Sequence, residues 1–209
     1  MRTFQEYITE EANHKSIHFF DLDDTLFHHP KDGTGVKVHV QNQHGKRVKT
    51  LSSGEYNSYK LPAGHKHDYS EFASSHIFAD TAKPIKKTLK KLHSIVGKGG
   101  KAEILTARSD MDDKDHFSRH LGKHGIDTSK VHVRRSGNLG GTAPENKKNV
   151  VHELINKHGY KDVHLYDDHH PNLEHFLSLK KDHPSVTFNA HHVDHDPKSG
   201  KTKITTTKV

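Results

Sequence analysis

The chain has 209 residues, carries a net charge of +7 with its 24 histidines counted as neutral, and contains no cysteine. That length suits one domain, or one domain with a sizeable insertion. The lack of cysteine excludes disulfides, thiolate zinc sites and cysteine nucleophiles, no stretch approaches the roughly 18 apolar residues of a membrane span, and the N-terminus lacks the apolar core of a secretory signal.

Hydrophobic residues make up only 30% of the chain but are clustered, which permits a core. Ser16–Phe20 predicts a first buried strand that breaks at once into Asp21, Asp23 and Asp24. Two carboxylates about 4 Å apart, at an effective dielectric of about 20, repel by about 4 kcal/mol, so a cation, raised pKa values or exposure to water must relieve them. Residues 35–60 read differently. GVKVHVQNQ and KRVKTL alternate around a His44-Gly45 turn, predicting a β-hairpin, and SGEYNSY predicts a turn of helix capped by Ser53. This block shows no strong apolar face and reads as an insertion. Lys83–Val96 places Ile85, Leu89, Leu92 and Val96 on one helical face and stops at Gly97. Ala102–Leu105 predicts a short strand, Asp112–Lys123 a helix with Phe117 and Leu121 inward and Gly125 past its end, and Val131–Val133 another strand. Gly137–Gly141 lacks the GK[ST] ending of a P-loop and reads as a flexible loop. Thr142-Ala143-Pro144-Glu145 is a capping box opening a helix that carries Val150, Val151, Leu154 and Ile155. Asp162–Tyr166 predicts a strand, Pro171–Leu179 a helix, Val186–Ala190 a strand, and the tail an edge hairpin around Ser199-Gly200. The histidine pairs at 28–29, 169–170 and 191–192 fit no helical HExxH pattern and read as surface residues. Such alternation predicts an α/β fold whose parallel sheet is covered on both faces, with ligands at the carboxyl ends of the strands.

Polar groups gather at those ends. Asp21-Leu22-Asp23-Asp24-Thr25 follows the first strand, Leu105-Thr106-Ala107-Arg108 ends the second, Asp167-Asp168 follows the strand at 162–166, and Lys147 and Lys148 lie at the start of the capped helix. Acids after one strand are common in turns; four polar elements in this order are far more specific. On these residues the chain resembles the haloacid dehalogenase superfamily of phosphohydrolases, whose signature runs strand–DxDx[TV], strand–[ST], Lys, acidic pair. The match spans about residues 16–190, and residues 28–80 sit where that family carries its variable cap. The LTAR form and the acidic pair look most like small-capped phage and nucleotide-directed phosphatases. The polynucleotide 3′-phosphatases are relatives, although they carry glycine where Ala107 stands here.

The resemblance implies a Rossmann-like three-layer sandwich with a parallel sheet of order 5-4-1-2-3 and a small β-rich cap. The division expected is an N-terminal extension over 1–15, a core over 16–27 and 81–209, and a cap insertion over 28–80. It implies hydrolysis of phosphate monoesters through an aspartyl-phosphate, with Asp21 as nucleophile and Asp23 as general acid and later base. Thr106 would hold a phosphate oxygen and a lysine would neutralise transition-state charge. Lys147 and Lys148 compete for that last role, and the spacing of Lys147 to Val150 and Val151 favours it. Asp21, Asp167 and the backbone carbonyl of Asp23 would bind Mg²⁺, which takes hard oxygen ligands and would let the carboxylates tolerate one another. Thr25, Arg108 and Asp168 are the substrate-side candidates, Asp168 alternatively as an acid holding the lysine. Arg108, Arg134 and Arg135 lie at strand ends, where they grip a substrate phosphate or stay solvated.

A basic chain favours phosphate-rich partners: a phosphorylated small molecule, a nucleotide or a nucleic-acid end, admitted by a short cap rich in Lys and His. MRTFQEYITE, with Phe4, Tyr7 and Ile8 on one face, resembles the capsid-targeting peptides of tailed-phage internal head proteins. Those begin Met-[Lys/Arg]-Thr-aromatic and end in a cut [Ile/Leu]-x-Glu, here Ile8-Thr9-Glu10; the other reading is an ordinary N-terminal helix. The resemblance implies a phage protein, a monomer without membrane partners, acting in the host cytoplasm or inside the capsid with packaged DNA. Two further readings stay open: a non-catalytic, polyanion-binding head protein that keeps the fold, and phosphotransfer to an acceptor other than water. The intact set Asp21, Asp23, Thr106, Lys147 and Asp167 argues against the first.

Overall fold

The computed structural model describes residues 15–30, 34–56 and 59–209, so the expected leader with its cut after Glu10 lies outside the described residues. In chain order the strands are β1 (Ser16–Phe20), β2 (Phe27–His28), β3 (Lys37–Gln41), β4 (Arg47–Ser52), β5 (Lys66–Asp68), β6 (Lys83–Pro84), β7 (Lys101–Thr106), β8 (Val133–Arg135), β9 (Asp162–Asp167), β10 (Thr187–His195) and β11 (Thr202–Lys208). The longer helices are α1 (Ser75–Thr81), α2 (Lys86–Gly97), α3 (Lys114–Lys123), α4 (Ala143–His158) and α5 (His170–Ser178).

Six strands form the central sheet in the order β11-β10-β9-β1-β7-β8. It is parallel except for β11, which runs antiparallel to β10 along the edge. β1 lies in its middle because both of its faces are apolar, as a strand buried on two sides must be. Ile17 and Phe19 face one core with Val151, Leu154 and Ile155 of α4 and Leu173 and Phe176 of α5. Phe20 faces the other, with Leu89 and Leu92 of α2 and Phe117 and Leu121 of α3. Burying each such side chain is worth about 1.5–3 kcal/mol. The molecule is thus mixed α/β around a mostly parallel sheet. Among the described residues no helix is long and apolar enough to cross a membrane.

Several local expectations shift. Lys83-Pro84 is not helical: it pairs with Phe27-His28, Ile85 N donates to Leu26 O, and α2 starts at Lys86. The strand expected at Val131–Val133 is Val133–Arg135, since Val131 N instead closes a turn onto Asp127 O. α3 is capped by Asp113, which accepts from His116 N, while Asp112 accepts from Ser75 N. β10 runs on to His195 because β11 pairs with it from Asn189 onward.

The hairpin forms as expected, β3 against β4 with Gly45 at φ 75° in the turn, and β5 adds a third strand. Its helical turn, Ser53–Tyr56, is capped by Ser52 rather than Ser53: the Ser52 amide and hydroxyl both donate to the Glu55 carboxylate. The block also has an apolar face, with Val36, Val38, Val40 and Leu51 buried. Phe78 of α1 enters the main core beside Phe27, ring centroids 5.4 Å apart, and so anchors the segment to the sheet.

Candidate functional site

The chain leaves β1 in a tight reversal. Asp21 N donates to Tyr166 O, Leu26 N and Phe27 N both donate to Leu22 O, and Asp24 sits at φ 53°. Aspartate is among the few side chains that tolerate this left-handed conformation. The reversal points the two preceding acids to different partners.

Asp21 points toward the end of β9. Lys147, on the first turns of α4, is fully enclosed, and its Nζ lies 2.8 Å from Asp21 Oδ1 and 2.7 Å from Asp167 Oδ2. Lys148, the competing lysine, faces outward near Asp182. Asp167 also accepts from His169 N at 2.9 Å and from Asn172 Nδ2 at 2.9 and 3.0 Å. The Asp168 carboxylate joins this group: Asp21, Asp167 and Asp168 each offer an oxygen, all within 4.8 Å of one another. Hence it is Asp167 and Asp21, and not Asp168, that hold the lysine.

Burial, reinforced by Asp167, Asp168 and Asp23, pushes the Asp21 carboxyl well above the usual range, with Lys147 opposing. Burial and then Asp167 and Asp24 push Asp168 up to about 7. Burial opposes the charge on Lys147, but Asp167 and Asp21 outweigh it and raise its pKa, so the ammonium persists.

Asp23 turns the other way. Arg108 Nε donates to Asp23 Oδ2 at 2.8 Å and Arg108 Nη2 to Oδ1 at 2.6 Å, a two-point fork. His29 Nε2 lies 3.1 Å from the same Oδ1. The Thr81 hydroxyl donates to Ile77 O and lies 2.8 Å from His29 Nδ1, so the ring is held from both of its nitrogens. Burial would raise the Asp23 pKa, but Arg108 and then His29 outweigh it and hold the carboxyl below the usual range. Arg108 in turn donates to Phe72 O at 2.7 Å and lies between the Phe72 and Phe78 rings, 4.9 Å from each. The expected substrate-side arginine is therefore engaged with Asp23.

Thr106 ends β7 with its Oγ1 accepting from Arg108 N at 3.1 Å; among the described residues its own proton goes to no acceptor, which leaves it able to donate to an incoming oxygen. The expected flexible loop at 137–141 is instead tied under this strand end. Gly137 N donates to Arg108 O, Ser136 Oγ to Thr106 O, and Asn146 Nδ2 to Ser136 O and Leu139 O. Thr25 is enclosed beneath the reversal, its carbonyl accepting from the Thr88 hydroxyl, and so is not open to a substrate. Arg134 pairs with buried Glu103 at 2.8 Å and Arg135 lies 4.0 Å from Asp110, so neither joins the site.

Sequence reasoning missed His29, read as surface yet buried, and Asn172. No periodicity marks His29, which reaches Asp23 only through the path of the insertion. Asn172 could have been noticed: it stands five residues after Asp167 on the first turn of α5, where a side chain can return to the strand end.

Three carboxylates against one ammonium leave an excess of two negative charges when all are ionised. The donors are hard oxygens, and the buried Asn172 Oδ1 has no hydrogen-bond partner beside them. This set fits a small divalent cation of the Mg²⁺ type. No protein-family model matches the chain, and no curated protein matches it.

Proposed function

We propose that this chain is a Mg²⁺-dependent phosphohydrolase that cleaves phosphate monoesters through an aspartyl-phosphate on Asp21. In this reading it is a haloacid dehalogenase-type phosphatase on a Rossmann-like three-layer sandwich of sheet order 5-4-1-2-3, with residues 28–80 as its cap. The observation that carries the reading is the enclosed Lys147 ammonium between Asp21 and Asp167, at 2.8 and 2.7 Å. Such a bridge orients one Asp21 oxygen and opposes the burial that disfavours its charge, while leaving the second oxygen available for attack.

The Asp21 carboxylate attacks phosphorus as the bond to the leaving oxygen breaks. Asp23 in its protonated form gives that oxygen a proton. As a carboxylate it then takes a proton from the water that attacks the same phosphorus, breaking the bond to Asp21 and releasing inorganic phosphate. Arg108 and His29 favour the carboxylate, the form the second step needs, so donation in the first step requires Asp23 to take up a proton beforehand. Thr106 donates its hydroxyl to a phosphoryl oxygen, and Lys147 balances charge on the phosphoryl group in transfer. Asp21, Asp167 and Asp168 would hold Mg²⁺, with the Asp23 carbonyl as a further oxygen. When bound, the ion neutralises negative charge on the phosphoryl group.

The basic insertion favours nucleotides and nucleic-acid ends as substrates. The N-terminal resemblance adds a phage setting, in the host cytoplasm or the capsid interior with packaged DNA. Phosphate release from aryl phosphates, nucleotides, phosphorylated oligonucleotides and sugar phosphates, with Mg²⁺ and with excess chelator, tests the reading. Mg²⁺-dependent release by the wild type and none by Asp21→Asn is expected; release by Asp21→Asn at the wild-type rate would contradict it.

A further inference from the structure

Arg108, which grips Asp23, is also the inner end of a run of aromatic rings that leads out of the site. Its guanidinium lies 4.9 Å from the Phe72 ring, and Phe72 meets Tyr69 edge-on at 6.3 Å. Tyr69 meets Tyr56 at 6.0 Å, their hydroxyls 2.9 Å apart, and its own side is 47% exposed. The rings belong to the insertion, whose residues 34–72 carry six Lys or Arg against three Asp or Glu.

The charges around the rings are unbalanced in practice too. Asp68 is taken by Gln41, Ser70 N and Arg47, and Glu71 by His39 and Lys37 N. Glu55 is taken by Ser52 and lies near Lys49, which extends over the Tyr59 ring at 4.7 Å, whereas Lys46, Lys60 and Lys66 are exposed with no ion pair among the described residues. Aromatic rings beside exposed lysines are the recognition chemistry of single-stranded nucleic acid, where bases stack on rings and phosphates meet the cations. A duplex keeps its bases stacked on each other and gives such a ring nothing to hold.

We infer that Tyr69 and Phe72 form a base-stacking platform that binds single-stranded nucleic acid and aims its end at Asp21. The direction is set by continuity, since the platform ends on Arg108 and Arg108 ends on Asp23. This deepens the phosphohydrolase reading and rests on it for what happens at the end of the strand; the binding itself does not depend on turnover.

The experiment is fluorescence anisotropy with a labelled decathymidylate lacking a terminal phosphate, set against a blunt duplex, on the full chain and its Tyr69→Ala and Tyr69→Phe variants. Tyr69→Ala is expected to weaken single-strand binding about tenfold. Tyr69→Phe, which loses the hydroxyl contact to Tyr56 but keeps the ring, is expected to bind within about twofold of wild type. Equal binding by wild type and Tyr69→Ala, equal loss in both variants, duplex bound as tightly as single strand, or no binding at all would overturn the inference. Phosphate release from an aryl phosphate is followed in parallel on the wild type. Oligonucleotide binding without any release supports the platform and overturns the phosphatase reading; release without oligonucleotide binding does the reverse.

Discussion

Lys147 Nζ lies 2.7 Å from Asp167 Oδ2, and neither side chain is open to water. A buried charge without a partner is strongly destabilising, and here each side chain supplies the other's partner. The same ammonium reaches Asp21, so one side chain ties the end of β9 to the end of β1.

Replacing that lysine by an apolar group of similar shape tests its structural weight. Lys147→Met is expected to cost about 3–5 kcal/mol in urea unfolding, because it strands buried carboxylates. Adding Asp167→Asn to it should cost less than the sum of the two single changes, since the second removes a charge that the first left unpaired. Strict additivity of the two would contradict the pairing.

Arg108 offers a test through pH. Its fork holds the Asp23 carboxyl low, and lysine cannot reproduce two parallel bonds. In Arg108→Lys the Asp23 pKa should therefore rise, moving the basic limb of the kcat/KM profile, where the protonated Asp23 needed by the first step is lost, to higher pH. A limb that stays in place would show that Arg108 does not govern Asp23.

Histidines inside the fold set a second pH dependence. Burial, then His164, pushes His18 down to about 3 and His191 down to about 4, both from an ordinary value of 6.5. Below pH 6.5 the unfolded chain takes up protons that the folded chain refuses. Their contribution is thus whole above that pH and is lost as pH falls toward 4 and then 3. Asp168, pushed up to about 7, works in the opposite sense as pH falls, so the comparison is between wild type and a His18→Phe, His191→Phe variant. Between about pH 7.5 and 5 the urea midpoint of the wild type should fall by more than that of the variant. Parallel falls would contradict neutral burial of these rings.

Gly137 tests how the strand end is supported. A Cβ there would strike Ala107 O and come within 2.7 Å of Arg108 C and Ser109 N, all backbone atoms that cannot yield cheaply. Gly137→Ala should cost about 1–3 kcal/mol as an overpacking change. It should also lower turnover, because the atoms displaced follow Thr106 and carry Arg108. Wild-type stability and turnover together would contradict this support.

How far these features were legible depends on the range of the interaction that makes them. The capping box Thr142–Glu145 and the Gly45 hairpin turn are local and form where the sequence places them. The Ser52 cap was legible too, since Ser52 and not Ser53 stands three residues before Glu55. The strand at Val133–Arg135 was not: its arginines look unlike a strand, and Arg134 is admitted only because it pairs with Glu103 across the register Leu105↔Arg134. The acids and the lysine of the site stand at strand and helix ends, where pattern alone can place them together. His29 and Asn172 depend on tertiary return paths, and Arg108 could be placed near the site but not assigned to Asp23, because which acid it grips is decided by Phe72 and Phe78 on either side of it.

The proposed mechanism requires a covalent bond between Asp21 and phosphorus, and rapid quenching in acid followed by peptide mass spectrometry looks for it directly. With Mg²⁺ and a phosphate monoester in excess, one phosphoryl group is expected on the peptide that contains Asp21, absent in Asp21→Asn. Phosphate release at full rate with that peptide unmodified, or with the phosphoryl group on another residue, would contradict it.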